Sequence, residues 1–157
     1  MTTGRVHALH VGQGGVPKLP IPEARLGTLG FEGDKVALPR IHGGPERAVC
    51  LYALERIDAL RAEGHSIFPG AIGENVTTAG LDWDLVTPGV RLAFGEAEVE
   101  ITTYAQPCRT TAPYVSGDLT RYDQRSAPGW SRTYARVLRE GMVRVGDVVK
   151  FNDLAKK

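Results

Sequence analysis

Pro107-Cys108-Arg109 holds the residue best suited to chemistry in this chain. Proline removes an amide donor and fixes the local turn, which keeps the cysteine out of a regular strand ladder. The adjacent Arg109 guanidinium favours the thiolate, the form that attacks sulfur or ligates a metal. A lone cysteine beside an arginine is equally an ordinary inert side chain, so other segments must decide. Cys50 has the opposite context: it lies within Ala48-Val49-Cys50-Leu51-Tyr52 and reads as a small buried hydrophobe. Two cysteines make neither a disulfide framework nor a four-ligand zinc site, and they suit a reducing compartment.

Three further segments bring polar groups. The loop from Gly33-Asp34-Lys35 to His42-Gly43-Gly44-Pro45-Glu46-Arg47 mixes glycines with both charge signs. Gly43 and Gly44 would let backbone amides approach a ligand, with Lys35, His42 and Arg47 as cationic donors to a phosphate or pterin. It is not a P-loop, and a turn closed by a surface ion pair fits the same composition. Gly73-Glu74-Asn75-Val76-Thr77-Thr78 offers the Glu74 carboxylate, the Asn75 amide and the Thr77 hydroxyl, or is simply a polar loop entering a strand. Between Trp130 and Arg139, Arg132, Tyr134 and Arg136 share one side at strand spacing, and Arg132 and Arg136 also align at helical spacing. Either geometry makes a basic face for an anion, and surface arginines are the ordinary alternative.

These residues need a scaffold of short strands. With 19 glycines and 10 prolines among 157 residues, the chain is rich in turns. Arg5–Val11 reads as a first strand, the proline run Pro17–Pro22 as a loop, and Leu26–Phe31 as a second extended segment. Ala48–Tyr52 is an apolar strand. Ala53–Glu63 is the best helix, with Leu54, Ile57 and Leu60 on one face and Gly64 as its stop. Val90–Ile101 reads as a hairpin about Gly95-Glu96, where glycine at the first central position suits a type II′ turn. Ala97, Val99 and Ile101 alternate there with Glu96, Glu98 and Glu100, a buried face against a solvated one. Val137-Leu138 and then Val143–Phe151, around Gly146-Asp147, read as closing strands. One helix among many strands predicts a mainly β fold, a β-barrel or curved sheet with a few peripheral helices, as a single domain over residues 1–157.

Composition removes several function classes. The apolar fraction is 42% and the charged fraction 24%, so a core can form. A net charge of +1, from 19 basic and 18 acidic residues, gives no general reason to bind nucleic acid or a membrane surface. No run approaches the roughly 20 apolar residues of a membrane helix, and the first thirty residues show no signal-peptide core. A cytoplasmic protein with a small-molecule substrate is expected.

In order along the chain, Gly33-Asp34, His42-Gly43-Gly44-Pro45-Glu46-Arg47-Ala48-Val49 with Tyr52, Gly73-Glu74-Asn75-Val76-Thr77-Thr78, Gly89–Glu96, Pro107-Cys108 and Gly141–Val148 resemble the MOSC family. That family is named for the C-terminal domain of molybdenum-cofactor sulfurase. The resemblance implies a MOSC-type β-barrel and a link to the molybdenum cofactor (molybdopterin) or to sulfur transfer. It places the family's hallmark cysteine at Cys108, as molybdenum ligand or persulfide carrier. The His42–Arg47 loop with Lys35, the Glu74-Asn75-Thr77 segment, and Arg109, Arg132 and Arg136 would then surround the pterin and its phosphate. The apolar stretch Val36-Ala37-Leu38-Pro39 departs from the more polar sequence expected ahead of that loop. No aminotransferase-like module accompanies these motifs, so no pyridoxal phosphate site is expected.

Three functions follow. The first is a molybdenum-cofactor-dependent oxidoreductase acting on N-hydroxylated or similar small molecules, with Cys108 as metal ligand. Lacking the cysteines of an iron–sulfur cluster and a Rossmann fingerprint, it would need an outside electron-donor protein. The second is a sulfur carrier, in which Cys108 takes sulfane sulfur from a desulfurase partner. The third is a non-catalytic binding module with an incidental cysteine.

Overall fold

The computed structural model describes residues 3–35 and 43–152. Strands in chain order are β1 (Thr3–Val11), β2 (Leu19–Ile21), β3 (Glu23–Gly27), β4 (Gly30–Phe31), β5 (Val49–Ala53), β6 (Val76–Ala79), β7 (Arg91–Phe94), β8 (Ala97–Tyr104), β9 (Thr133–Arg139), β10 (Gly141–Arg144) and β11 (Val148–Phe151). The α-helix α1 (Leu54–Ala62) follows β5 directly, and short 3-10 segments fill several connections. None of the described helices is long and apolar enough to cross a membrane.

Seven strands close on themselves in the order β1-β11-β7-β8-β9-β5-β6 and back to β1. Closure leaves no open sheet edge around the barrel. Pairing is antiparallel except between β5 and β6, and α1 lies on the crossover between those two strands. Ile57 and Leu60 of the helix are fully buried, as their spacing requires. The strict alternation of β8 sends Ala97, Val99 and Ile101 into the main core with Leu51 and Ala135. Its glutamates take the outer face, where Glu100 pairs with Arg91 and Arg136.

The β7–β8 hairpin sets Phe94 opposite Ala97, leaving Gly95-Glu96 as a two-residue turn. Gly95 has φ +60, and a Cβ there would lie 2.5 Å from Asp147 Oδ2 and 2.6 Å from the Met142 carbonyl. Glycine is required on both counts.

Three expectations need correction. The proline run is not wholly loop: Leu19–Ile21 pairs with β1, setting His10 opposite Pro20. It does so as an edge strand outside the closed ring, the place in a sheet where proline is tolerated. Leu26–Phe31 is two strands, β3 and β4, reversing at Thr28-Leu29 with Gly27 opposite Gly30. Of the two strands around Gly146-Asp147, only β11 closes the barrel; β10 joins β3 and β4 in a separate three-stranded sheet.

Candidate functional site

Neighbouring residues on a strand face opposite ways, and the site is built on the side of β5 and β9 turned away from the main core. Cys50 and Tyr134 are cross-strand partners. They form a small cluster with Ala105, apart from the core that holds Val49, Leu51 and Ala135. Over this patch lies a pocket of about 410 Å³, whose lining includes Gly14, Lys18, Asp34, Arg47, Asn75, Cys108 and Arg132.

Cys108 reaches the pocket because β8 ends at Tyr104 and its exit is tied down. The Ala105 amide donates to the Arg132 carbonyl at 3.0 Å, and Ser131 Oγ donates to the Ala105 carbonyl at 3.0 Å. Cys108 then precedes the 3-10 segment Arg109–Val115. Its carbonyl accepts from the Thr111 amide at 2.9 Å and from Thr111 Oγ1 at 2.6 Å, while Thr111 Oγ1 also bonds the Tyr122 hydroxyl. The half-buried Sγ accepts from Thr110 Oγ1 at 3.3 Å. That hydrogen bond lowers the thiol's pKa; burial opposes it, and the Thr110 amide, Arg132 charge and Arg109 amide assist. The expected aid from the Arg109 guanidinium is therefore corrected: Arg109 is exposed, outside the pocket lining, and acts through its backbone amide. Cys50 is buried, and burial pushes its thiol up.

Arg132 is 5% exposed. Its Nη1 donates to the Ile72 carbonyl at 2.7 Å and its Nη2 to the Gln106 carbonyl at 2.8 Å. Among the described residues its Nε has no hydrogen-bond partner. Arg136 lies on the same side of the chain but is held by Glu100 at 2.8 Å, outside the pocket. Arg47, from the 3-10 turn Pro45–Arg47, sits 5.9 Å from the centre of the Tyr134 ring.

Asn75 and Asp34 hold one wall. Asn75 Oδ1 accepts from the Cys50 amide at 3.0 Å, and its Nδ2 donates to the His10 carbonyl at 3.2 Å and to Asp34 Oδ2 at 3.0 Å. Asp34 also accepts from the Gly12 amide at 2.8 Å and from Lys18 Nζ at 2.9 and 3.0 Å. Glu74 and Thr77 lie inside rather than on the pocket wall. Glu74 is fully buried, takes the Gly70 amide and the Thr77 hydroxyl on Oε2, and has its pKa raised by burial.

Of the residues singled out in the sequence, Gly43, Arg47, Asn75, Cys108 and Arg132 converge on the pocket. Lys35 is exposed and fixes the loop by bonding Gly12 and Gly14 through its backbone. Gly44 is exposed, with φ +97, and leads into the Arg47 turn. His42 lies outside the described residues. Sequence reasoning missed Lys18 and Gly14, which carry no signal of their own, and Thr110. A hydroxyl two residues after a turn cysteine was a usable sign, because such side chains hydrogen-bond locally.

A closed mainly β barrel carrying a thiol in a cationic pocket on its outer wall is the class of protein these features define. The chain belongs to the MOSC domain family, whose model matches residues 39–150; the family is associated with the molybdenum cofactor. It is 32% identical over 112 residues to Protein YiiM of Escherichia coli K12, covering 68% of this chain and 50% of that protein. It is 33% identical over 135 residues to the uncharacterized protein YflK of Bacillus subtilis 168, covering 84% of this chain and 60% of that protein. The chain thus spans one half to three fifths of the length of these curated relatives. The crystal structure of YiiM from Geobacillus stearothermophilus shares the fold, with a TM-score of 0.73 at 24% identity over 96% of this chain and 75% of that one.

Proposed function

We propose that this chain binds the molybdenum cofactor and acts as an oxidoreductase on N-hydroxylated or similar small molecules, with Cys108 as the protein ligand of the metal. The observation that carries this reading is the half-buried Cys108 sulfur on the wall of a 410 Å³ pocket shared with Arg47 and Arg132. That volume lies within the roughly 300–1,000 Å³ usual for cofactor sites. A thiolate is a soft donor suited to such a metal. The described residues hold no cluster of three or more His, Cys, Asp or Glu side chains, so the remaining donors would come with the cofactor itself.

When bound, the cofactor supplies two-electron oxygen-atom chemistry. The chain's own residues do the rest. The Thr110 hydroxyl and the amides of Thr110 and Arg109 favour the thiolate form of Cys108. Arg47 and Arg132 offer charge to the anionic parts of the cofactor, and Lys18, Asp34 and Asn75 fix the wall beside them. Two cysteines are too few for an iron–sulfur cluster, so electrons would come from a donor outside these residues.

The test is metal analysis of wild type beside Cys108→Ser, both from a host that makes the cofactor. Molybdenum in wild type and its loss from the variant is the expected result. A wild-type protein without molybdenum would overturn the reading.

The contrast between the two thiols favours a second reading, a sulfur carrier. Cys108 is half-open with its thiolate supported, whereas Cys50 is buried with its thiol pushed up. A cysteine desulfurase partner with cysteine should then add sulfur to Cys108, and sulfur found only on Cys50 would count against it.

A further inference from the structure

The pocket holds more positive charge than its own acids compensate. Lys18 is matched by Asp34 at 2.9 Å. Arg132 is 5% exposed and spends two donors on backbone carbonyls, while its Nε has no partner among the described residues. No described carboxylate lies within ion-pairing distance of Arg132 or of Arg47: Arg132 faces the Tyr122 ring at 5.3 Å and meets the buried Glu74 only at longer range, and Arg47 faces the Tyr134 ring. A guanidinium removed from water without a direct ion pair is costly, and an anionic ligand offsets that cost. The same wall carries the Cys108 thiol. An inert oxyanion would use the two guanidiniums and leave the nucleophile idle. An anion that also presents a divalent, electrophilic sulfur would use all three groups.

We propose that the pocket takes anionic thiosulfonates, thiosulfate being the smallest, and transfers their outer sulfur to Cys108. This rests on the sulfur-carrier reading and needs no metal cofactor. Arg47 and Arg132 bind the sulfonate oxygens. The Cys108 thiolate attacks the outer sulfur and forms a new S–S bond. The old S–S bond breaks with its electron pair on the sulfonate sulfur, and sulfite leaves. Thiolate and thiosulfate dianion thus become persulfide anion and sulfite dianion, with no outside oxidant or reductant. An acceptor such as cyanide then takes the terminal sulfur as thiocyanate and restores the thiolate.

The experiment uses the full chain from a host unable to make the molybdenum cofactor. It is incubated with thiosulfate, and with cysteine and a cysteine desulfurase in parallel. Intact mass, peptide mapping and sulfite release are read. One sulfur on Cys108, one equivalent of sulfite, and neither in Cys108→Ser are expected from thiosulfate. Arg47→Gln, at the partly exposed rim, tests the charge without disturbing buried Arg132. Its thiosulfate loading rate, normalised to alkylation by neutral iodoacetamide, should fall about tenfold, the loss of one charge-assisted hydrogen bond. If desulfurase loads Cys108 and thiosulfate does not, the thiosulfonate inference falls and the carrier reading stands. If neither loads it, both fall. Equal normalised rates in wild type and Arg47→Gln would overturn the role given to the guanidinium.

Discussion

Removing Asp34 should cost far more than removing the lysine it binds. The two side chains are 8% and 7% exposed and meet at 2.9 Å. The carboxylate also receives the Gly12 amide at 2.8 Å and Asn75 Nδ2 at 3.0 Å. It therefore joins the end of β1, the approach to β2 and the entry to β6. In Asp34→Ala the Lys18 ammonium is left almost sealed from water without its carboxylate, and two further donors lose their acceptor. Breaking a buried pair in this way costs about 3–5 kcal/mol. Lys18→Met leaves the Asp34 carboxylate with two N–H donors in place. Each charge-assisted bond of that kind contributes about 1.5–3 kcal/mol, so we expect a loss of only about 1–2 kcal/mol.

Urea unfolding followed by tryptophan fluorescence, through Trp83 and Trp130, measures each variant. The double variant Lys18→Met/Asp34→Ala contains no stranded ammonium. It should be more stable than the sum of the single losses implies, by at least about 1 kcal/mol. Two results would refute the reasoning: Lys18→Met costing as much as Asp34→Ala, or single losses that simply add. Either would mean that the carboxylate is not what holds the lysine in place.

Other perturbations test separate parts of the chain. Thr110→Val removes the hydroxyl that donates to Cys108 Sγ, so the pH midpoint of iodoacetamide alkylation should move upward, while Thr110→Ser should keep it low. Burial lowers the His10 pKa from 6.5 to about 4. Above 6.5 the ring is neutral in both folded and unfolded chains; below that the unfolded chain takes the proton first, so stability falls between pH 6.5 and 4 by up to about 3 kcal/mol. Urea unfolding across that range should be flatter for His10→Gln than for wild type, and an equally steep fall would count against this account. Gly95→Ala drives a methyl against Asp147 and the Met142 carbonyl at φ +60. It should cost about 1–3 kcal/mol in thermal or urea unfolding.

The elements legible in the sequence are those whose pattern and packing agree. The β8 alternation and the Leu54-Ile57-Leu60 spacing of α1 each point to one buried face, and the barrel uses both. Leu19–Ile21 was hidden because its prolines argue against a strand, and only its place outside the ring makes the pairing tolerable. Site residues divide along similar lines. Cys108 is marked by the proline before it, but the source of its thiolate support was misread, because Arg109 is exposed and Thr110 supplies the hydrogen bond. Arg132 and Arg136 look alike in sequence and share one side of the chain. Glu100, directly across from Arg136 on β8, claims that arginine, and Arg132 has no such partner. Which acid stands opposite a basic residue depends on strand register, and the register between β8 and β9 shifts at two points. Local spacing carries no record of such shifts.

The two cysteines show how one pocket can treat two thiols differently. Both line it, yet the backbone around them is committed differently. Cys50 sits in mid-strand, where its amide donates to Asn75 Oδ1 and its carbonyl accepts from the Asn75 amide. It clusters with Ala105 and Tyr134, and burial pushes its thiol up against the opposing charge of Arg132. Cys108 lies just before a 3-10 segment whose first amides are free to point back at the sulfur, joined by the Thr110 hydroxyl. Moving a cysteine from the second setting to the first would raise its pKa even in the same cavity. Support for the Cys108 thiolate comes from the turn that follows β8 rather than from the pocket as a whole.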